Sequence, residues 1–423
     1  MSEMKAIRNF DDLSVALGRE AALRHIPLNG TIEITHRCPL TCAHCYNNLP
    51  IGDRQAQAEE LTYGEHCKII DDIVQAGCLW LLYTGGEIFA RPDFLDIYTY
   101  ARKKGLLITL FTNATMITPE IADHLVSYRP YAIEVTLYGH TRETYERLTG
   151  VAGSFDRCIR GIELLLERKL PLKLKSVVVS INQHEIWAMK KYAEEDLGLE
   201  FKFDSMMNPR IDCSASPLAV RLTPEEVVSL DLQDPKRVEA FHGMASRYMT
   251  PQPISPRDEL YSCGGGIHSW AISPTGKMSI CVLSKMDMYD LRGGTFTEGW
   301  EKFLHAARGK KVTRPTKCVR CQLKSICGMC PAAAELENRD PEEPVDFLCE
   351  VAHLRAHTLG WKVAEHGPCE YCDGGSRHAH VVASGAKLSA GVTRSRHLPV
   401  FVDAAAMSEE GDGCGSGHCT SCS

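Results

Sequence analysis

The sequence predicts an α/β fold in which six strand-helix units form a parallel sheet curled into a partial barrel, followed by a smaller cysteine-rich domain. Two patterns carry this expectation. Between residues 29 and 207, short apolar runs alternate with stretches of helical periodicity, the order that builds βαβ units. Past residue 207 the alternation stops, and seven of the 19 cysteines crowd into residues 263–349.

A chain of 423 residues accommodates two domains with a sizeable core. Residues 1–28 read as a helical lead-in, with Leu13, Ala16, Leu17, Ala21 and Leu23 roughly on one face. Thr31 to Thr35 reads as a strand running straight into a cysteine loop. Thr62-Tyr63-Gly64-Glu65 is a capping box for a helix that turns Ile70, Ile73 and Val74 inward. Leu79 to Tyr83 is a strand, and Pro92 and Asp93 open a helix that stops at Gly105. Strand Leu106 to Thr112, helix Pro119 to Val126 and strand Ala132 to Leu137 follow. Helix Arg157 to Arg168, with Ile159, Ile162, Leu165 and Leu166 apolar, precedes strand Leu172 to Ile181. Helix Glu185 to Glu195 and strand Phe201 to Met206 end the barrel.

Residues 208–262 are rich in proline and read as a bridge containing one helix started by Thr223-Pro224-Glu225-Glu226. Residues 263–366 make the cysteine-rich domain. Residues 367–423 turn to Gly, Ser, His and Ala, the composition of a loosely ordered tail.

The net charge of -7 offers no electrostatic footprint for nucleic acid or an anionic membrane. No apolar run approaches a bilayer-spanning length and no signal-peptide core opens the chain, so the expected compartment is the cytoplasm. Nineteen cysteines in a reducing compartment argue for metal ligation over disulfides.

The central motif is His36-Arg37-Cys38-Pro39-Leu40-Thr41-Cys42-Ala43-His44-Cys45-Tyr46, a C-x3-C-x2-C loop at the carboxyl end of the first strand. Three thiolates spaced this closely can cap three irons of a four-iron cubane and leave the fourth open to chemistry. A zinc site or unpaired core cysteines are the plainer alternatives. One unit later comes Tyr83-Thr84-Gly85-Gly86-Glu87. Two glycines allow close backbone approach to a ligand, and a carboxylate beside them can accept hydrogen bonds from an ammonium group. Alone, this is also what an ordinary turn looks like.

At these residues the chain resembles the radical S-adenosylmethionine (radical SAM) enzymes, whose defining loop is C-x3-C-x2-C followed by an aromatic, here Tyr46. The resemblance implies a (βα)6 partial barrel. It also implies that Cys38, Cys42 and Cys45 hold a [4Fe-4S] cluster, with the methionine part of SAM on the open iron and a 5'-deoxyadenosyl radical as the hydrogen-abstracting species. Gly85, Gly86 and Glu87 then hold the methionine amino group. Asn113 and Thr136 match positions of polar contacts to the ribose or carboxylate of SAM, and Arg147 pairs with that carboxylate. For Asn113 a turn residue, and for Arg147 a solvated helix charge, stand as alternatives. Val177 to Val179 flank the adenine or are plain core strand.

Downstream the cysteines run Cys263, then Gly276 with Cys281 five residues on, then Cys318, Cys321, Cys327, Cys330 and Cys349. A zinc ribbon explains two adjacent CxxC pairs but leaves ligands over. The arrangement resembles the SPASM extension of radical SAM enzymes, which holds two auxiliary four-iron clusters. That resemblance assigns Cys318, Cys321, Cys327 and Cys349 to the outer cluster and Cys263, Cys281 and Cys330 to the inner one. Two residues, Gly328 and Met329, separate the last CxxC pair where the family commonly has three, and the inner set lacks an obvious fourth cysteine. Cys213 supplies it, or an iron is open. Fully ligated clusters suit electron transfer.

The tail cysteines Cys369, Cys372, Cys414, Cys419 and Cys422, with His418, suggest a further metal site, a thiol arm delivering sulfur or metal, or incidental residues of a disordered tail.

The expected function is a radical SAM/SPASM maturase that oxidatively modifies a peptide or protein substrate, with the auxiliary clusters taking the electron. Flavodoxin or ferredoxin is the expected reductant. With only 37 residues before Cys38, either a separate peptide-recognition protein or recognition through the bridge or tail is expected as well. Alternatives are cofactor biosynthesis or sulfatase-type active-site maturation, and, in another class, a non-catalytic iron-sulfur electron carrier. The carrier leaves the three-cysteine loop and the GGE element unexplained.

Overall fold

Apolar residues at every second position bury one face of each strand against helices and leave the other face partly open. In the computed structural model, which describes residues 10–249, 258–363 and 366–393, this pattern yields six strands. They are β1 (Asn29–Thr35), β2 (Trp80–Gly85), β3 (Leu107–Thr112), β4 (Ala132–Thr136), β5 (Leu172–Val177) and β6 (Phe201–Asp204). All five pairings between them are parallel and follow chain order. The helix-covered face carries the core: Ile32, Ile34, Leu81, Tyr83, Ile108, Leu110, Ile133, Val135 and Leu174 are all nearly inaccessible.

The sheet does not close on itself. Beyond β1 it continues through β7 (Ser269–Ile272), parallel to β1 with Asn29 opposite Ser269, and then through antiparallel β8 (Lys277–Ser279) and β9 (Tyr289–Asp290). The partial barrel is therefore open, and the cysteine-rich region begins as three further strands of the same sheet.

Local sequence accounts for most of the helices. Among these are α1 (Phe10–Arg24), α2 (Tyr63–Gln75), α3 (Phe94–Lys103), α4 (Pro119–Ser127), α5 (Arg142–Thr149), α6 (Ser154–Glu167) and α7 (Ile186–Lys191). The capping box at Thr62 is formed in both directions, with Glu65 N donating to Thr62 Oγ1 and Thr62 N to Glu65 Oε2. On α1 the expected apolar face is buried only in part. Leu13 is 36% and Leu23 76% exposed, while the small Gly18 and Ala21 are the buried positions. Small residues permit the close approach, and the leucines stay outside.

The segment read as a proline-rich bridge holds two helices, α8 (Pro224–Gln233) and α9 (Pro235–Tyr248). Their prolines occupy the first turn, where a missing N–H costs nothing, so they start helices here and do not break them. The remaining helices include α10 (Pro331–Asn338), α11 (Asp346–Thr358) and α12 (His378–Thr393). Residues of the expected loose tail thus fold as α12, with Tyr371 and Val381 buried on the way. Its later cysteines Cys414, Cys419 and Cys422, with His418, lie outside the described residues. Among the described residues, no helix is long and apolar enough to cross a membrane.

Asp231 fastens α8 to α11. Its buried carboxylate accepts from Arg355 Nε at 2.9 Å and Nη2 at 2.6 Å, and from Arg237 at 2.6 and 3.0 Å. Arg355 also donates to the carbonyl of Ile326 at 2.7 Å, next to Cys327. Removing one partner of such a buried pair leaves an uncompensated charge, a loss of about 3–5 kcal/mol. Asp231→Ala is expected to lower the thermal midpoint clearly, whereas Asp156→Ala, which breaks an exposed pair with Arg142, should barely move it. Calorimetry on the two variants makes the comparison.

Candidate active site

The cysteine loop leaves β1 at its carboxyl end and is pinned by backbone bonds. Thr41 N donates to Thr149 O at 2.9 Å and Ala43 N to Leu148 O at 3.0 Å, which fastens it to the end of α5. Arg210 braces the following turn, donating to Cys45 O (3.2 Å), Asn48 Oδ1 (2.8 Å) and Asn48 O (2.9 Å). Cys38 is buried, and Cys42 and Cys45 are half-buried.

These three thiols converge. Burial pushes each above its ordinary pKa. Negative charge from Glu87 and Cys45 raises Cys38 further, and Cys45 and Cys38 do the same to Cys42. Leu40 N–H and the Asn113 amide, 3.4 and 3.5 Å from Cys38 Sγ, oppose the rise there. Buried thiols this close repel as thiolates unless cations lie between them. The donor set therefore fits an iron-sulfur cluster held by three cysteines.

Gly85 and Gly86 are pressed against the same loop. A Cβ on Gly85, whose φ is +128°, would lie 2.1 Å from Thr35 O, and one on Gly86 would lie 2.5 Å from both His36 O and Arg37 O. Gly86 N donates to Thr35 O at 2.7 Å and Glu87 N to Arg37 O at 3.0 Å. The missing side chains of the two glycines admit a second stretch of backbone on this side.

Glu87 is fully buried and its carboxylate faces the end of β3. It accepts from Thr112 Oγ1 (2.7 Å), Asn113 N (2.8 Å) and Phe89 N (3.3 Å). Burial nonetheless lifts it to about 7.

Asn113 therefore sits in the centre, beside Cys38. Thr136 is half-buried on the open face of β4, opposite Lys175 in register. Burial lowers Lys175 to about 7 even though Glu134 lies 3.5 Å away, and its ammonium rests over the Phe111 ring. Arg147 is exposed and donates to Ile181 O at 2.9 Å. Of Val177 to Val179, the last two are fully buried, and Val179 packs in a small cluster that Cys42 also touches.

Sequence reasoning missed the polar frame of the loop. Glu33, 1% exposed, accepts from Asn47 Nδ2 (2.7 Å) and Tyr46 OH (2.9 Å) and meets His36 Nε2 at 3.2 Å. Burial would push its carboxyl up, but His36, Lys285 and Tyr46 hold it below the ordinary value. Arg37 forms a buried two-pronged pair with Glu60 at 2.8 and 3.0 Å. His44, lowered to about 4 by burial, leaves Nδ1 without a hydrogen-bond partner and packs 5.1 Å from Tyr138. A Glu between two isoleucines in the strand just before the motif was the available signal for this frame.

The downstream cysteines gather in two groups. Cys318, Cys321, Cys327 and Cys349 line one cavity. Burial and the neighbouring thiols raise Cys318 to about 11 and Cys327 to about 12. Cys281 is raised to about 12 by burial and then by Cys330 and Cys263. Cys213 packs against the same apolar cluster as Cys281 and Cys330, with Sγ 3.7 Å from Glu335 O.

The Radical SAM superfamily model matches residues 32–193. The chain is 28% identical over 334 residues to the AdoMet-dependent heme synthase of Methanosarcina barkeri, covering 74% of this chain and 94% of that protein. It is 26% identical over 319 residues to the antilisterial bacteriocin subtilosin biosynthesis protein AlbA of Bacillus subtilis, covering 72% and 67%. It is also 26% identical over 260 residues to the PqqA peptide cyclase of Bradyrhizobium diazoefficiens, covering 60% and 67%. Among solved structures, Streptococcus suis SuiB bound to S-adenosylmethionine aligns with TM-score 0.57 at 16% identity, over 82% of this chain and 83% of that one. The enzyme anSMEcpe with bound AdoMet aligns at 0.55 and 15%, over 88% and 99%. The fold is shared with both.

Gly86→Ala forces a methyl group into two carbonyl oxygens, an overpacking cost of about 1–3 kcal/mol. The variant is expected to retain less iron after anaerobic reconstitution and to melt earlier than Gly64→Ala, whose Cβ meets open space. Iron counting and thermal denaturation on both proteins check this.

Proposed function

We propose that this chain, whose residues 32–193 match the Radical SAM superfamily model and whose fold is shared with SuiB and anSMEcpe, reductively cleaves SAM and oxidatively modifies a peptide or protein by hydrogen abstraction. The observation that carries this is that Cys38, Cys42 and Cys45 stand on one loop at a strand end within reach of one another's charge, with the Gly85-Gly86 backbone laid against Thr35, His36 and Arg37 just ahead of the first thiol. When bound there, the [4Fe-4S] cluster and SAM supply the 5'-deoxyadenosyl radical.

The chain's own residues have these roles in the proposal. Cys38, Cys42 and Cys45 ligate the cluster, and Asn113 donates to the Cys38 sulfur, lowering the electron density on it. The backbone of Gly85, Gly86 and Glu87 receives the amino group of SAM. Glu87 acts by fixing the end of β3, since its carboxylate oxygens are already engaged. Thr136 takes the ribose or carboxylate of SAM from the open sheet face, and Arg147 is assigned the carboxylate. Cys318, Cys321, Cys327 and Cys349 hold one auxiliary cluster and Cys263, Cys281 and Cys330 the other, which gives the substrate electron an exit. Flavodoxin or ferredoxin supplies the first electron, a separate peptide-recognition protein presents the substrate, and the reaction runs in the cytoplasm.

Relatives named for peptide products, AlbA and the PqqA peptide cyclase, support the peptide reading. One observation favours a second. The heme synthase of M. barkeri is matched along 94% of its length, against 67% for AlbA and 67% and 81% for two PqqA peptide cyclases. On that reading the substrate is an iron porphyrin and the product a cofactor.

The test starts from protein reconstituted anaerobically with iron and sulfide, given SAM and dithionite. About twelve irons per chain are expected, the sum of three four-iron clusters. Release of 5'-deoxyadenosine should vanish in the Cys38→Ala/Cys42→Ala/Cys45→Ala variant; its persistence would sink the radical SAM assignment of these thiols. Mass spectrometry then compares peptides encoded beside the gene with iron-coproporphyrin III. Oxidation of a peptide upholds the first reading, and oxidation of the porphyrin alone replaces it with the second.

A further inference from the structure

The segment after α11 returns to that helix and places two thiols against two imidazoles. Cys369 Sγ lies 3.5 Å from His353 Nε2, and Cys372 Sγ lies 3.6 Å from the same nitrogen. Cys372 Sγ is also 3.6 Å from the ring nitrogens of His366. One donor atom from each of the four residues fits within a sphere of contacts no longer than 4.8 Å. His353, His366 and Cys369 are buried, and both thiols are free of disulfides.

These distances have a chemical meaning. With Zn–S near 2.3 Å and Zn–N near 2.0–2.1 Å, a tetrahedral S···N edge is about 3.5 Å. The measured separations are of that length. His353 adds an independent sign, because its Nδ1 lies 2.7 Å from the carbonyl of Cys349. That bond requires the proton on Nδ1 and leaves the Nε2 lone pair aimed at both sulfurs, the arrangement in which a backbone carbonyl orients a metal-bound histidine. The sequence spacing is H-x12-H-x2-C-x2-C over His353, His366, Cys369 and Cys372.

We propose that His353, His366, Cys369 and Cys372 form a resident four-coordinate zinc site, separate from the seven cysteines of residues 263–349. Two thiolates and two imidazoles in a tetrahedron select zinc, and four protein ligands leave no open position, which makes the site structural. Its place in the fold gives it a task. His353, His366 and Cys369 form one wall of the cavity lined by Cys318, Cys321, Cys327 and Cys349. The zinc fastens the His366–Cys372 turn, and through it α12, onto the helix that carries Cys349. It thereby seals that cavity without contributing a ligand to it.

The test uses the full chain purified anaerobically with no added metal. Elemental analysis is expected to give about one zinc per chain. The zinc X-ray absorption edge reads only that metal and is expected to report two sulfurs and two nitrogens at the distances above. Absence of zinc, or a shell of four sulfurs, overturns the proposal. Cys369→Ser/Cys372→Ser is expected to lose the zinc. Retention of zinc in that variant, or an iron signal from the tetrad, equally overturns it. The absorption measurement on the unaltered protein decides the matter even if the variant fails to fold.

Discussion

Everything at the candidate active site depends on one backbone contact, the end of β2 laid against the loop that leaves β1. Two N–H groups, of Gly86 and Glu87, find the carbonyls of Thr35 and Arg37, and no side chain fits between the strands at that point. This fixes where Glu87 turns. Its carboxylate then takes the backbone N–H of Asn113. Asn113 Oδ1 is meanwhile occupied by the N–H and hydroxyl of Thr115 at 3.0 and 2.6 Å. The amide nitrogen is thus the end left to face the Cys38 sulfur. A close approach of glycine backbones in one strand pair thereby sets the hydrogen bond that a donor one strand further on makes to a thiol of the loop.

The charges around the loop follow a consistent logic. Glu33 and Glu60 are buried carboxylates, yet each is matched by donors: Asn47, Tyr46 and His36 for the first, and the Arg37 guanidinium for the second. Buried polar groups of this kind rigidify a site once all are satisfied. At the thiols, burial and neighbouring charge outweigh what opposes them. Arg210 eases Cys45 in part, while burial and neighbouring charge hold Cys38 and Cys42 high. The carboxylates of this frame are matched by charged and polar donors, while the Cys38 sulfur meets the weaker donors of Leu40 and Asn113.

Much of this was legible in the chain because it is local. The six strands fall within a few residues of their expected bounds, since period-two burial is written into each run, and the capping boxes at Thr62 and Thr223 form as their spacing requires. What was not legible depends on partners distant in sequence. Nothing near Pro224 or Pro235 announces that Asp231 will meet Arg355, and proline looks the same whether it ends a chain segment or opens a helix. The pairing of β7 with β1 joins residues some 240 positions apart, as Asn29 with Ser269. The tail's CxxC was visible, and so was the His366 that precedes it, but the fourth member of that group, His353, comes from the far side of a turn.

The two cysteine constellations, read in sequence as separate domains, share a surface in the fold. Tyr46, next to Cys45, packs with Ala271, Val282, Leu283, Ala332 and Leu336, the cluster that Cys281, Cys330 and Cys213 also contact. Its hydroxyl is held by Glu33 from β1, and burial together with the charge of Glu33 keeps it protonated and donating. The β1–β7 pairing is what makes this possible, because it carries Cys281, a few residues beyond β8, round to the side of the loop on which Tyr46 lies. An edge strand completed by its own C-terminal region also leaves no unpaired ladder beside the cysteine loop. The same pairing therefore closes the sheet edge next to the first three thiols and brings Tyr46 and the second cysteine group onto one apolar cluster.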